Sequence, residues 1–270
     1  MLTVAAVAAL ALAGCESFIG GAPTEVTLGA ASDTTVRVSW EAPAGGVPDS
    51  YVVAFMATDA STWVDFTAAT ESATTADHNP AGKTGRYRVT AVFGASTFAA
   101  AATPSSTPIH TAGVLVGELN AAEPSGYGWA RDSGDGATFT MTYASNADKI
   151  DFYITDWATE YAGPHYSIAS PDWGPHEPGG AGMVPPGAWR ATAFCPVSSS
   201  QSPLPAFGTG VYDNNLELGE DSTLVAVCTD TTGNSRHYAL VKLGRPDTAN
   251  GTVEVETWFQ LIKDLRLIQH

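Results

Sequence analysis

The residues of this sequence best able to do chemistry are three cysteines, six histidines and twenty-eight carboxylates. Their spacing arms few reactions. There is no Gly-x-Ser-x-Gly elbow, no His-Glu-x-x-His pair, no phosphate loop and no Cys-x-x-Cys. His176-Glu177 runs into Pro178-Gly179-Gly180, which cannot continue as the two helical turns that a metal pair needs. Asp132-Ser133-Gly134-Asp135-Gly136 has the flavour of a calcium loop but lacks a third ligand and the closing glutamate, so a turn between strands is expected. Asp213-Asn214-Asn215 with Glu217 likewise reads as an Asx-rich turn, with Ca²⁺ coordination as the alternative. Among so many acidic residues, a carboxylate pair of the kind that cleaves glycosides would arise by number alone, so catalysis has no support from spacing.

One stretch gathers aromatic, imidazole and carboxylate groups. Between Gly163 and Gly187 six prolines and six glycines surround His165, Tyr166, Trp173, His176 and Glu177. A loop of this length in a compact domain is often functional. Flat ring faces beside a few polar groups suit stacking on a sugar or clasping a small ligand. The competing expectation is a loop that lies over the core and plugs it with Trp173.

The net charge is −16, from 12 Lys+Arg against 28 Asp+Glu. From His110 onward there are 19 acidic and 8 basic residues, which leaves −11. Such a surface repels a phosphate backbone, so no nucleic-acid partner is expected. Solubility accounts for the charge without any partner; a cationic partner, a neutral glycan or divalent cations remain compatible with it.

The elements that must position these residues begin after a targeting segment. Leu2 to Ala13 is an unbroken run of small and apolar residues. As a helix it would span about 18 Å, short of a ~30 Å hydrocarbon core but suited to a signal-peptide hydrophobic region. Leu12-Ala13-Gly14-Cys15 resembles a bacterial lipobox. The resemblance implies cleavage after Gly14, acylation of Cys15 and a location in the bacterial cell envelope, periplasmic or surface-exposed. Met1-Leu2-Thr3 lacks the Lys or Arg usual at such a start. Residues 15–22 then read as a tether. In that oxidising compartment the two remaining cysteines, Cys195 and Cys228, each at the end of an expected strand, are expected to form a disulfide, with two buried thiols as the alternative.

Residues 23–106 carry seven short alternating runs separated by turn residues, the pattern of an antiparallel β-sandwich. Val36, Val38 and Trp40 alternate with Arg37 and Ser39. The runs Val36 to Pro43, Asp49 to Val53 and Tyr87 to Val92 resemble the second, third and sixth strands of a fibronectin type III domain. The resemblance implies a core place for Trp40 and a corner-closing hydroxyl on Tyr87. Where the family has an apolar residue before that corner, this chain has His78-Asn79-Pro80. No Arg-Gly-Asp is present, so integrin-type adhesion has no support.

After a Pro/Ser/Thr linker, strand signals resume over residues 110–270. They fall at Val114 to Leu119, Ala137 to Tyr143, Lys149 to Thr155, Trp189 to Phe194, Thr223 to Cys228, His237 to Leu243 and Thr252 to Leu261. A second antiparallel β-sandwich follows, which makes the chain all-β with two tandem sandwiches. Trp258 to Ile268 also fits a helical stripe. Thr223 to Leu261 resembles the closing portion of HmuY-like haem-binding lipoproteins, a pattern that suits any β-meander. His165, His176 and His237 fall on no motif of that family, and no cofactor is expected, with Ca²⁺ or haem as the alternatives.

The reading these features favour is a non-catalytic, lipid-anchored envelope protein that acts in binding, adhesion or scaffolding. Its partner would be an envelope protein or a glycan, and its membrane contact would be the lipid. The alternatives are a carbohydrate-active accessory protein or hydrolase, and a haem- or small-ligand-binding lipoprotein.

Overall fold

The computed structural model describes residues 20–156, 166–176, 184–199, 201–233 and 235–270. Cys15 and the signal run lie outside the described residues, as do His165 and Glu177.

The chain is all-β. Strands β1 (Thr24–Ser32), β2 (Thr35–Glu41) and β5 (Thr75–His78) form one sheet in the order β1-β2-β5. Strands β3 (Ser50–Ala57), β4 (Val64–Thr70), β6 (Gly85–Phe93) and β7 (Ser96–Ala99) form a second in the order β4-β3-β6-β7. The period-2 alternation explains the layering: Val36, Val38 and Trp40 on β2 face Tyr51, Val53, Tyr87 and Val89 in one buried cluster. The second, third and sixth strands are those the fibronectin type III resemblance implied. Trp40 is 4% exposed and Tyr87 fully buried, both in the core as expected.

His78 takes the place of the missing apolar residue. Its ring stacks on Phe66 at 4.1 Å and 16°, lies 5.0 Å from Phe55, and its Nδ1 is 3.2 Å from the Tyr87 hydroxyl. Packing and corner closure are thus combined in one side chain.

The second sandwich pairs two five-stranded sheets. One holds β9 (Gly126–Trp129), β10 (Gly136–Phe139), β11 (Phe152–Asp156), β12 (Tyr166–Ala169) and β14 (Asn215–Glu217), in the order β10-β9-β11-β12-β14. The other runs β13-β15-β16-β17-β8, with β8 (Ile109–Gly117), β13 (Thr192–Pro196), β15 (Thr223–Thr229), β16 (His237–Leu243) and β17 (Thr252–Phe259). Phe152, Ile154 and Ile168 meet Phe194, Val225, Val227, Val241 and Val255 between them. The outer face of the second sheet is itself covered: Leu204, Tyr238, Leu240 and Ile268 form a further buried cluster.

One open reading is settled and one expected boundary corrected at this level. The stripe from Trp258 to Ile268 is not a helix: β17 ends at Phe259 and the remainder is irregular. That remainder also leaves the second sandwich. Leu265 and Leu267 are fully buried in the cluster of the first, beside Trp40 and Val89, while Ile268 is buried in the second. Polar contacts fix the crossing. Arg266 pairs with Asp33 at 2.9 Å and donates to the Leu204 carbonyl, and Gln269 Oε1 accepts from the Thr84 N–H at 3.2 Å. Gln260 Nε2 donates to the carbonyls of Ser106 and Leu267. Burying two leucines contributes about 1.5–3 kcal/mol each.

The seam also requires Gly82. Its φ of +86° suits glycine, and a Cβ there would stand 2.6 Å from the Ser202 carbonyl oxygen.

Candidate functional site

The proline- and glycine-rich segment does not form one loop. Tyr166 opens β12 and is only 4% exposed, because its strand pairs with β11 and β14 inside the sheet. This corrects its place in the candidate binding loop, where it was expected to be partly exposed. Pro171–His176 makes a short 3-10 turn. Trp173 on that turn is half-buried against Met141, Ile150, Tyr153, Val184 and Trp189. Its packing is nearer to a core plug than to an open stacking platform. His176, next along, is exposed.

Cys195 and Cys228 are free thiols, which corrects the expected disulfide. The register explains why. Cys195 stands opposite Ala226 and Cys228 opposite Ala193, so the two cysteines are diagonal neighbours on adjacent strands. Diagonal pairs stand about 7–8 Å apart, beyond disulfide reach. Burial pushes the Cys228 thiol up to about 12, which makes it a poor nucleophile.

The Asp132–Gly136 stretch is a turn, as expected. It links β9 to β10, with Ser133 Oγ donating to Asp135 and Gly134 at φ +79°. No group of three metal-ligating side chains occurs among the described residues.

A polar cluster that spacing did not reveal closes the end of the second sandwich nearest the seam. Asp151, fully buried, accepts from the Trp129 N–H at 2.9 Å and pairs with Arg131 at 2.5 Å and Arg190 at 3.1 Å. Arg131 also reaches Asp230 at 3.1 Å, and His237 Nδ1 stands 3.6 Å from the same carboxylate. Burial works to raise the Asp230 pKa, but His237, Arg131 and Arg190 outweigh it and bring it down to about 2. The Trp129, Phe259 and His237 rings stack in series beneath, at 5.1 and 5.3 Å. Two guanidinium groups balance two carboxylates, and Asp151 offers a substrate no open face. The arrangement holds two sheets in register; it is not built to turn over a ligand. Its members lie at positions 131, 151, 190, 230 and 237, too scattered for any motif. The available signal was a charge inside an otherwise apolar strand pattern, at Asp151 and Arg190.

Depressions open to solvent lie elsewhere: one of about 630 Å³ at the seam, lined by Leu28, Ala30, Leu261 and Ile262, and three that run toward the opposite end of the second sandwich. Three adjoining depressions of about 360, 470 and 330 Å³ share Glu254 and then Arg245, so they form one groove around the β16–β17 turn. Gly113, at φ +71°, opens a bulge in edge strand β8 on its floor, where the register with β17 slips between Val255 and Thr257. Leu115, 53% exposed, lines it beside Glu123. Tyr166 and Glu220 close its far end, so one residue of the expected binding segment does border it.

Five carboxylates (Glu123, Glu220, Asp247, Glu254, Glu256) against Lys242 and Arg245 leave the groove at −3. His110 and Lys242 hydrogen-bond Glu256 and hold its carboxyl below the usual range. Asp247 caps its own turn by accepting the Ala249 and Asn250 N–H groups. Glu254 and Glu220 are exposed, with charge to offer a partner.

No protein-family model matches the chain, and no curated protein matches it. Among solved structures, the chain is similar to an FN3 domain of human collagen XX, at 18% identity over 37% of this chain and 97% of that one, with a TM-score of 0.28. It is also similar to the FN1–FN3 domains of chicken CNTN1, at 12% identity over 87% of this chain and 65% of that one, with a TM-score of 0.26.

Proposed function

We propose that this chain is a non-catalytic binding or scaffold protein of the bacterial envelope, anchored by lipid on Cys15. The first sandwich serves as its stalk and the second as its head. The observation that carries the reading is the acidic groove around the β16–β17 turn, at the end of the head away from the seam. β8 runs nine residues from the seam at Ile109 to the groove end at Gly117, about 30 Å of strand. Net negative charge and a half-polar floor suit a partner that presents basic side chains, namely an envelope protein with a basic face.

Capture from envelope extract, with the purified chain as bait, tests this. Glu254→Lys with Glu220→Lys inverts charge at exposed positions without touching the core. We expect the double variant to lose at least tenfold in capture of the basic partner, about 1.4 kcal/mol or more. Equal capture by both proteins would remove the groove from the function. Retention of a defined oligosaccharide on a glycan array, lost in the same variant, would instead favour a glycan as partner.

A further inference from the structure

We propose that the free edge of β1 beside the seam is a strand-docking site, which takes an extended, largely apolar segment of a partner protein that carries a carboxylate. The site is separate from the acidic groove and depends neither on the reading of that groove nor on the lipid anchor.

The backbone gives the first argument. β1 pairs with β2 alone and so ends its sheet. On β2 the Trp40 N–H points away from β1, to the Thr74 carbonyl at 3.0 Å. Alternation along the strand then turns the peptide groups of Arg37 and Ser39 toward β1, where they face Gly29 and Thr27. Leu28 and Ala30 consequently turn their N–H and C=O groups outward. No hydrogen bond reaches those groups from any described residue. Two donors and two acceptors in this alternation match an extended chain, not a compact small molecule. Register shifts bracket the run, between Thr24 and Thr27 and between Ala30 and Ser32, so residues 27–30 are the regular stretch of the edge.

The surroundings name the occupant. Leu28, Ala30, Leu261 and Ile262 line a depression of about 630 Å³ along this edge, and all four are only partly buried. The molecule itself shows what fits beside it. The segment after β17 passes the end of β1, where the Arg266 N–H donates to the Asp33 carbonyl at 2.8 Å, and buries Leu265 and Leu267 in the first sandwich. An irregular stretch of chain thus already completes that core, and the depression adjoins it through residues 261–263. In a chain of net charge −16, no carboxylate lines the depression among the described residues; its charged member is Lys263, exposed and in no ion pair. A carboxylate on the incoming segment would meet that ammonium group.

The test adds two heptapeptides to the isotope-labelled full chain and follows amide hydrogen exchange residue by residue. One is acetyl-Thr-Val-Thr-Val-Thr-Val-Asp amide; the other carries Lys in place of Asp. In the free protein we expect the Leu28 and Ala30 amides to exchange fast and those of Thr27 and Gly29 slowly. The Asp peptide at saturation should slow the first two about tenfold. It should also bind about threefold tighter than the Lys peptide, a preference that Lys263→Glu reverses. Ala30→Pro removes an outward donor but no bond to β2, and should abolish protection at Leu28. Slow exchange at Thr27 and Gly29 reports that β1 is still paired in that variant. Binding that leaves both amides unprotected, or that survives Ala30→Pro undiminished, overturns the proposal, as does an Asp peptide that fails to bind at millimolar concentration. Protection that rises with protein concentration in the absence of peptide overturns the partner segment in favour of a second copy of this chain.

Discussion

His78 shows how much one side chain can decide. It is half-buried against Phe55 and Phe66 and hydrogen-bonds the Tyr87 hydroxyl, and burial lowers its pKa below the ordinary histidine value. In the unfolded chain the same imidazole titrates near pH 6.5. Below that pH the unfolded state binds the proton more readily, so His78's contribution to stability is full above about pH 6.5. It falls as the pH drops toward the lowered folded-state value. The melting temperature of the wild type is therefore expected to drop more between pH 7.5 and 5.5 than that of His78→Phe, which keeps the ring packing and cannot titrate. Identical slopes would show that the imidazole is not buried as described. The sequence marked this position as a departure from the fibronectin pattern. That a histidine could serve as both the apolar filler and the hydroxyl's partner was not legible, because the Phe66 stack depends on the packing of two sheets that no local spacing encodes. Cys195 and Cys228 teach the converse: their strands were found, but a disulfide depends on register, and a diagonal offset leaves two thiols.

At the scale of elements, period-2 alternation located β2, β6 and β17, which bury one face, while β15 and β16, buried on both, were legible as continuous apolar runs bounded by turn residues. The short strands β9, β12 and β14 were missed; Gly126-Tyr127-Gly128-Trp129 and Tyr166 to Ala169 are buried at every position and show no alternation. The segment after β17 was ambiguous because its apolar residues mimic a helical stripe, while in the fold they are shared between two different cores. That gives the C-terminal crossing a measurable weight. Leu267→Ala removes a fully buried side chain from the first sandwich and should destabilise it by about 2–5 kcal/mol. Urea unfolding gives the total, and hydrogen exchange should show the loss in the amides of β2 and β6, far away in sequence. A cost below about 0.5 kcal/mol would mean that the crossing does not complete that core.

At the scale of the whole molecule, the described residues stand in a definite order: first sandwich, polar seam, second sandwich, acidic groove. The overall β architecture was legible in the sequence, and so was the charge that colours the groove. The groove itself was not, because its carboxylates come from four separate stretches joined by the β8–β17 and β16–β17 pairings. The order has functional meaning only if the chain is held at its N-terminal end, and that is the central claim. The direct measurement is the intact mass of the N-terminal peptide of the protein recovered from the membrane fraction of cells that make it. The account predicts a chain that begins at Cys15 and carries a diacylglyceryl group on the thiol. A membrane-bound chain with an unmodified Cys15, or soluble protein that retains the residues before it, would contradict the account.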